Sequence, residues 1–384
     1  MIRKLCIFPS DPIIDYYNKG EIKERYFNPN NLFQQIEIIS LTDKEIEEEK
    51  IKKIAGTAKL KIHTVGKITN RNRKKKLEEI IQLVEGLEPD VIRSYNSLLP
   101  GWYAASCAKK LKIPFYLSLH TQYDHMRKIA RKDSLKKYLA LKYTEKFIEP
   151  FVLQNANKIT IVYKIIESYV KKHTNTKPEI LYNKIDLERF SNANKMDSLP
   201  QPLIISVGRL IEPKNHQCLI YAMQNINANL LIIGNGVLYE KLNKLINKLG
   251  LQNKIIIEKS INNNQIQNYY KSAKIFALAY DTKLEGIPIP IMEAMASSLP
   301  VIIPFSDTNT EGELGKSVIY SENTPESFSK NISNLLQNEK KQKEMIEKSL
   351  EKSKEFDSDV LENREAEMYL QLIANKKIVF KPNS

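Results

Sequence analysis

The chain has 384 residues, 42% hydrophobic and 27% charged, which is the balance of a globular protein and not of a disordered or fibrous one. That length exceeds what one hydrophobic core usually supports, so two domains are expected. The net charge is +14, and the three cysteines, Cys6, Cys107 and Cys218, lie far apart with no Cys-x-x-Cys pair, which argues against a disulfide framework or a zinc site and for a reducing compartment.

The first residues carry two basic side chains and only four apolar ones before Pro9, so residues 4–8 read as a first strand rather than a signal peptide. No run approaches the ~18–20 apolar residues that span a bilayer. The expected location is cytoplasmic, at most peripheral on the inner face of a membrane. Further strands are predicted at 35–40, 59–63, 91–94, 114–119 and 158–162, with helices at 74–87, 102–111 and 138–155. A short strand at 179–182 precedes a polar stretch, 191–202, that reads as a linker. The rhythm then restarts, with strands at 203–207, 229–233, 255–257, 275–279 and 301–303 and helices at 238–249, 265–271 and 290–297. From Pro325 two charged helices are expected, the last near 359–374 with Leu361, Met368, Leu370 and Leu372. Such alternation predicts an α/β protein with two Rossmann-like, doubly wound domains facing a central cleft. The domains are placed at 1–198 and 199–358, with 359–384 returning to the first.

The charge is lopsided. Residues 1–200 hold 37 Lys and Arg against 24 Asp and Glu, or +13, and residues 201–384 hold 22 against 21, or +1. The excess gathers at 71–76 and 127–146, which implies an anionic partner: a membrane surface, a phosphorylated acceptor or a nucleic acid. The segment 126–147 interleaves cations with Ile129, Leu135, Tyr138, Leu139 and Leu141, and suits either an anionic membrane or a solvated helix face. No nucleic-acid reading motif accompanies the charge, so no nucleic-acid partner is expected.

Two segments carry chemistry. In 284–300, Glu285 follows a strand and turn, Gly286 permits a tight bend, Pro288 and Pro290 suit a helix entrance, and Glu293 lies just inside the helix. Free amides between the two carboxylates would suit a phosphate; an amphipathic helix with a dipole-favoured acid accounts for the same residues. In 203–216, Gly208 ends a buried strand, Arg209 projects beyond it and Lys214 follows near the next helix. A planar fork and a point charge suit a diphosphate, though solvated surface cations are commonplace in such a chain. Asp357-Ser358-Asp359 is the only Asp-x-Asp; it falls at a helix start, where Ser358 or Asp359 reads as a cap.

Taken together, Ser206-Val-Gly-Arg-Leu210 with Lys214-Asn215, Ile232-Ile-Gly-Asn-Gly236 and Glu285-x₇-Glu293 running into Ala294-Met-Ala-Ser-Ser-Leu-Pro-Val301 resemble the retaining family-4 glycosyltransferases (glycosyl transferases group 1) of the GT-B fold. The 180–190 segment and Asp90 to His120 resemble the same family, in its order, over roughly residues 85–375. The resemblance implies transfer of a sugar from a nucleotide-diphosphate donor to a glycan or lipid-linked acceptor, in surface polysaccharide or glycolipid synthesis. Glu285 and His120 would face the transferred sugar, Glu293 would bind the ribose, and Arg209 and Lys214, with the amides of Gly286 and Ile287, would hold the diphosphate. It implies no metal and no cofactor beyond the nucleotide-sugar. A sugar-nucleotide 2-epimerase shares the architecture, but the Glu-x₇-Glu entry with Arg209 and Lys214 favours transfer. The chain departs from the family in lacking a Gly-Gly turn after the first strand, where only Gly20 is on offer for the acceptor loop, and in carrying Gly286-Ile287-Pro288 for the usual Gly-Phe-Gly.

Overall fold

The computed structural model describes residues 2–18, 20, 22–69, 71–262, 264–305 and 313–379, with backbone alone for 376–379. The chain divides into two compact units. The first runs to Tyr182 and takes in the residues from Leu361 onward; the second is Asn183–Val360. The division therefore falls earlier than the predicted 198/199. The polar stretch is not a free linker, because the Met196 amide donates to Ser272 Oγ (2.7 Å) and Gln201 Nε2 to Ser272 O (3.0 Å), pinning it to the second unit.

The first unit is built on seven parallel strands: β1 (Lys4–Phe8), β2 (Gln35–Ser40), β3 (Lys59–Thr64), β4 (Val91–Ser94), β5 (Phe115–Leu119), β6 (Lys158–Ile161) and β7 (Glu179–Ile180), in spatial order β3-β2-β1-β4-β5-β6-β7. In β1, Leu5 and Ile7 join one buried cluster and Cys6 and Phe8 another, so the period-two alternation of side chains feeds cores on both faces. The second unit has β8 (Leu203–Val207), β9 (Asn229–Ile233), β10 (Ile255–Glu258), β11 (Ile275–Ala277), β12 (Val301–Pro304) and β13 (Ile319–Ser321), in order β10-β9-β8-β11-β12-β13, again all parallel. The sixth strand, β13, three residues long, was not foreseen. Both sheets are Rossmann-like and doubly wound.

Three helical predictions need correction. The pattern at 138–155 is two helices, Leu135–Phe147 and Glu149–Gln154, because Pro150 has no N–H to continue the ladder and instead occupies the first turn of the second. An unpredicted helix, Tyr123–Asp133, is capped by the Gln122 side chain, which accepts from the amides of Asp124 and His125. The tail holds three helices, Pro325–Gln337, Glu339–Ser353 and Ser358–Val379; Asn338 ends the first and caps the second.

From Leu361 onward the last helix is locked into the first unit by Arg93 on β4. Arg93 is buried, ion-paired with Glu365, 2.5 Å from Tyr369 Oη and 2.9 Å from Ser118 Oγ. Its guanidinium lies over the Tyr95 and Tyr116 rings at 4.3 and 4.7 Å.

Candidate functional site

In the second unit β8 and β11 are adjacent, while the chain leaves β8 toward β9 on the other side. Their carboxyl ends thus border the point where the strand order reverses, the crevice at which doubly wound sheets take ligands. Gly208, Arg209 and Lys214 follow β8, and Glu285 follows β11.

The loop after β8 is shaped by two glycines of the next loop. A Cβ on Gly234 would sit 1.9 Å from Gly208 O, and one on Gly236 would sit 2.4 Å from Leu210 O. Only glycine admits this backbone-on-backbone approach, which is completed by hydrogen bonds from Gly208 N to Ile233 O (3.0 Å) and Leu210 N to Asn235 O (2.8 Å).

The structure treats the two cations differently. Arg209 is exposed at the end of β8. Lys214, in the turn Glu212–Lys214, is only 5% exposed, and its Nζ lies 2.6 Å from Glu285 Oε2. Lys214 Nζ also stands 5.8 Å from the centre of the Tyr280 ring. Lys214 is thus no solvated surface lysine. The Asp281 amide donates to Pro213 O (2.8 Å), tying the loop after β11 to the turn that carries Lys214.

Gly286 and Ile287 are buried, and Tyr280 Oη donates to Gly286 O at 2.8 Å, bracing the segment between the two glutamates. No hydrogen bond among the described residues takes up the N–H of Gly286 or Ile287. The helix Ile289–Ala296 begins one residue before the expected start and carries Glu293 in its second turn. Glu293 is held by the buried Tyr270, whose hydroxyl donates to Oε2 at 2.9 Å. Burial and then the Glu293 charge push the Tyr270 phenol well above its usual pKa, so it remains a donor.

Tyr270 and Tyr280 were missed in the sequence, where nothing but their proximity to the motifs distinguishes them. His216 was given no role from the sequence. It lies under the site at 2% exposure, its Nδ1 3.4 Å from Ser206 Oγ and its Nε2 3.6 Å from where a Gly208 Cβ would stand. Burial first, and Lys214 second, push its imidazole down to about 4.

His120 belongs to the first unit, at the carboxyl end of β5, with its ring 5.8 Å from that of Tyr95. Burial, then the nearby Arg93, lower its pKa, so the imidazole is neutral near pH 7. Gly20 sits at φ +69° where its amide closes the helix Ile13–Asn18 on Tyr17 O (3.0 Å). Its neighbours Lys19 and Glu21 lie outside the described residues. The turn directly after β1 is made by Pro9, Ser10, Asp11 and Pro12, not by glycine. Asp357, rather than Ser358 or Asp359, precedes the first helical residue, and the Ser358 amide donates to Ile185 O (2.8 Å). Among the described residues no group of three or more His, Cys, Asp or Glu is arranged to hold a metal.

Family models match both units: Glycosyltransferase Family 4 over residues 35–189 and Glycosyl transferases group 1 over residues 188–352. An uncharacterized glycosyltransferase of Methanocaldococcus jannaschii is 26% identical over 71% of this chain and 73% of its own. The Campylobacter jejuni N-acetylgalactosamine-N,N'-diacetylbacillosaminyl-diphospho-undecaprenol 4-alpha-N-acetylgalactosaminyltransferase is 32% identical over 47% of this chain, which spans half of that relative. The Anabaena HepE structure with UDP and glucose has a TM-score of 0.70 at 13% identity, covering 97% of this chain and all of that one, a likeness of fold alone. Fold and motifs define a transferase built from two Rossmann-like domains. The chain belongs to the family-4 glycosyltransferases of the GT-B fold, and among the described residues no helix is long and apolar enough to cross a membrane.

Proposed function

We propose that this glycosyltransferase moves a sugar from a nucleoside-diphosphate donor, with retention at the anomeric carbon, to a lipid-linked or other membrane-borne glycan acceptor. The observation that carries the donor reading is the pairing of the buried Lys214 with the half-buried Glu285 at the switch point, next to the exposed Arg209. Breaking the bond between the anomeric carbon and phosphate oxygen loads negative charge on the departing diphosphate. Lys214 as a point charge, Arg209 as a planar fork and the amides of Gly286 and Ile287 supply preorganised countercharge there. Glu285, paired on one oxygen, has the other for the transferred sugar's hydroxyls, and the Tyr270-braced Glu293 takes the ribose hydroxyls. Support for the donor comes from the UDP and glucose held by the Anabaena fold relative, and for the acceptor from the diphospho-undecaprenol in the Campylobacter relative's name.

A thermal-shift screen of UDP-, GDP- and ADP-sugars tests this. A true donor at about 100 times its Kd stabilises the fold by about 2.7 kcal/mol. A null result across all three nucleotides at millimolar concentration would sink the donor reading.

A further inference from the structure

Two basic stretches far apart in sequence, 71–76 and 127–146, meet on one face of the first unit. Their junction is a hydrogen bond from Arg73 Nη1 to Tyr143 Oη at 3.3 Å. The helix Leu135–Phe147 is apolar on both sides. Leu141 faces the core, whereas Leu135, Leu139, Tyr143 and Phe147 are 68, 57, 45 and 56% exposed. Residues four apart advance about 40° around a helix, so these four form a ridge over about 120° of the outer surface. Lys136 and Lys146 lie on the same arc and Lys142 at its edge, all exposed, with Lys142 paired to Glu145. The preceding helix, Tyr123–Asp133, adds exposed Lys128, Ile129, Arg131 and Lys132. Lys128, Arg131, Lys132, Lys136 and Lys137 have no carboxylate partner among the described residues. Arg127 does not belong to this face: it is buried among Asp124, Glu145 and Glu149.

One exposed leucine needs no explanation, but a four-residue apolar ridge bordered by unpaired cations does. We propose that this face docks on an anionic lipid bilayer, with Leu135, Leu139, Tyr143 and Phe147 entering the boundary between headgroups and acyl chains and the surrounding Lys and Arg meeting lipid phosphates. A nucleic acid would engage the cations and leave the leucines in water. A second copy would set these cations against their own kind. The face belongs to the first unit, so its occupancy is separable from the donor reading, which rests on residues of the second.

The full chain is mixed with neutral phosphatidylcholine vesicles and with vesicles carrying roughly a third phosphatidylglycerol, and binding is read by co-flotation. Binding to the acidic vesicles alone is expected. Two variants separate the contributions: Leu139→Gln with Phe147→Gln, and Lys128→Gln with Arg131→Gln, Lys132→Gln and Lys136→Gln. Each is expected to lower the partition constant at least about tenfold while circular dichroism and donor-stabilised melting stay unchanged. In addition, a Leu139→Trp variant should lose fluorescence to lipids brominated on the acyl chain. Equal binding to both vesicle types, no binding, a charge variant that loses binding while the apolar variant does not, or displacement by single-stranded RNA without any apolar contribution would each overturn the proposal. So would a Leu139→Gln, Phe147→Gln variant that merely turns a dimer into a monomer.

Discussion

Replacing Lys214 with methionine keeps the aliphatic stem against Gly208 and removes only the ammonium. The pair it breaks is unequal: the lysine side chain is 6% exposed and that of Glu285 33%. Breaking a fully buried pair costs about 3–5 kcal/mol, but a carboxylate with a third of its surface in water can turn to solvent, so about 1–2 kcal/mol is the appropriate loss. In a unit of this size that lowers the melting temperature by about 2–8 °C. Turnover should fall more steeply, by about 10²–10³, because the ammonium is one of few preorganised charges beside the diphosphate. The assay pairs melting of the donor-free protein with initial rates for Lys214→Met, Glu285→Gln and the double variant. Stability should be partly recovered in the double variant, where neither charge is left unpaired, and turnover should not. Rates within about threefold of the parent, alongside the expected melting loss, would refute the clamp and leave Lys214 as a prop for the loop bearing Glu285.

Glu285→Gln and Arg209→Ala should each cost about 10²–10³ in turnover, and Arg209→Ala, being exposed, should leave melting unchanged; initial rates and calorimetry check both. On the proposed reading protein cations meet the diphosphate, so transfer is expected to survive EDTA, and loss restored by Mn²⁺ or Mg²⁺ would point to a metal the proposal omits. The pH dependence has a definite sign. His216 is held near 4 in the fold against about 6.5 when unfolded, so the unfolded chain takes up the proton first. Stability should be intact above about 6.5 and fall as pH drops toward about 4, by at most about 3 kcal/mol from this residue. Urea unfolding at both ends of that window should show a shallower loss in His216→Asn; an unchanged slope would contradict a neutral buried imidazole.

Much was legible in the residues alone. Among the described residues, every strand but β13 was foreseen, because a parallel strand covered on both faces is a short run of Ile, Leu and Val, and the turn residues around each run and the longer helical patterns between them mark it as a strand. The glycines at 234 and 236, the Glu285-to-Glu293 spacing and the Gly208-Arg209 strand end were likewise readable, since each follows from local backbone demands or from a motif. What local pattern cannot express is which side chains meet. Lys214 and Arg209 look alike in a chain with 59 cations, and only the approach of the loop after β11 buries one against Glu285 and leaves the other in water. Tyr270, from the helix Ile266–Ser272, and Tyr280, from the loop after β11, acquire their roles only by reaching Glu293 and Gly286 O. Arg127, a cation of the basic stretch by sequence, is drawn inward by three carboxylates, while Arg73 reaches Tyr143 across 70 residues to unite two separate stretches. Periodicity encodes which face of an element turns inward; the partner that face meets, and so whether a charge is a surface group or part of a site, is settled only when distant elements pack.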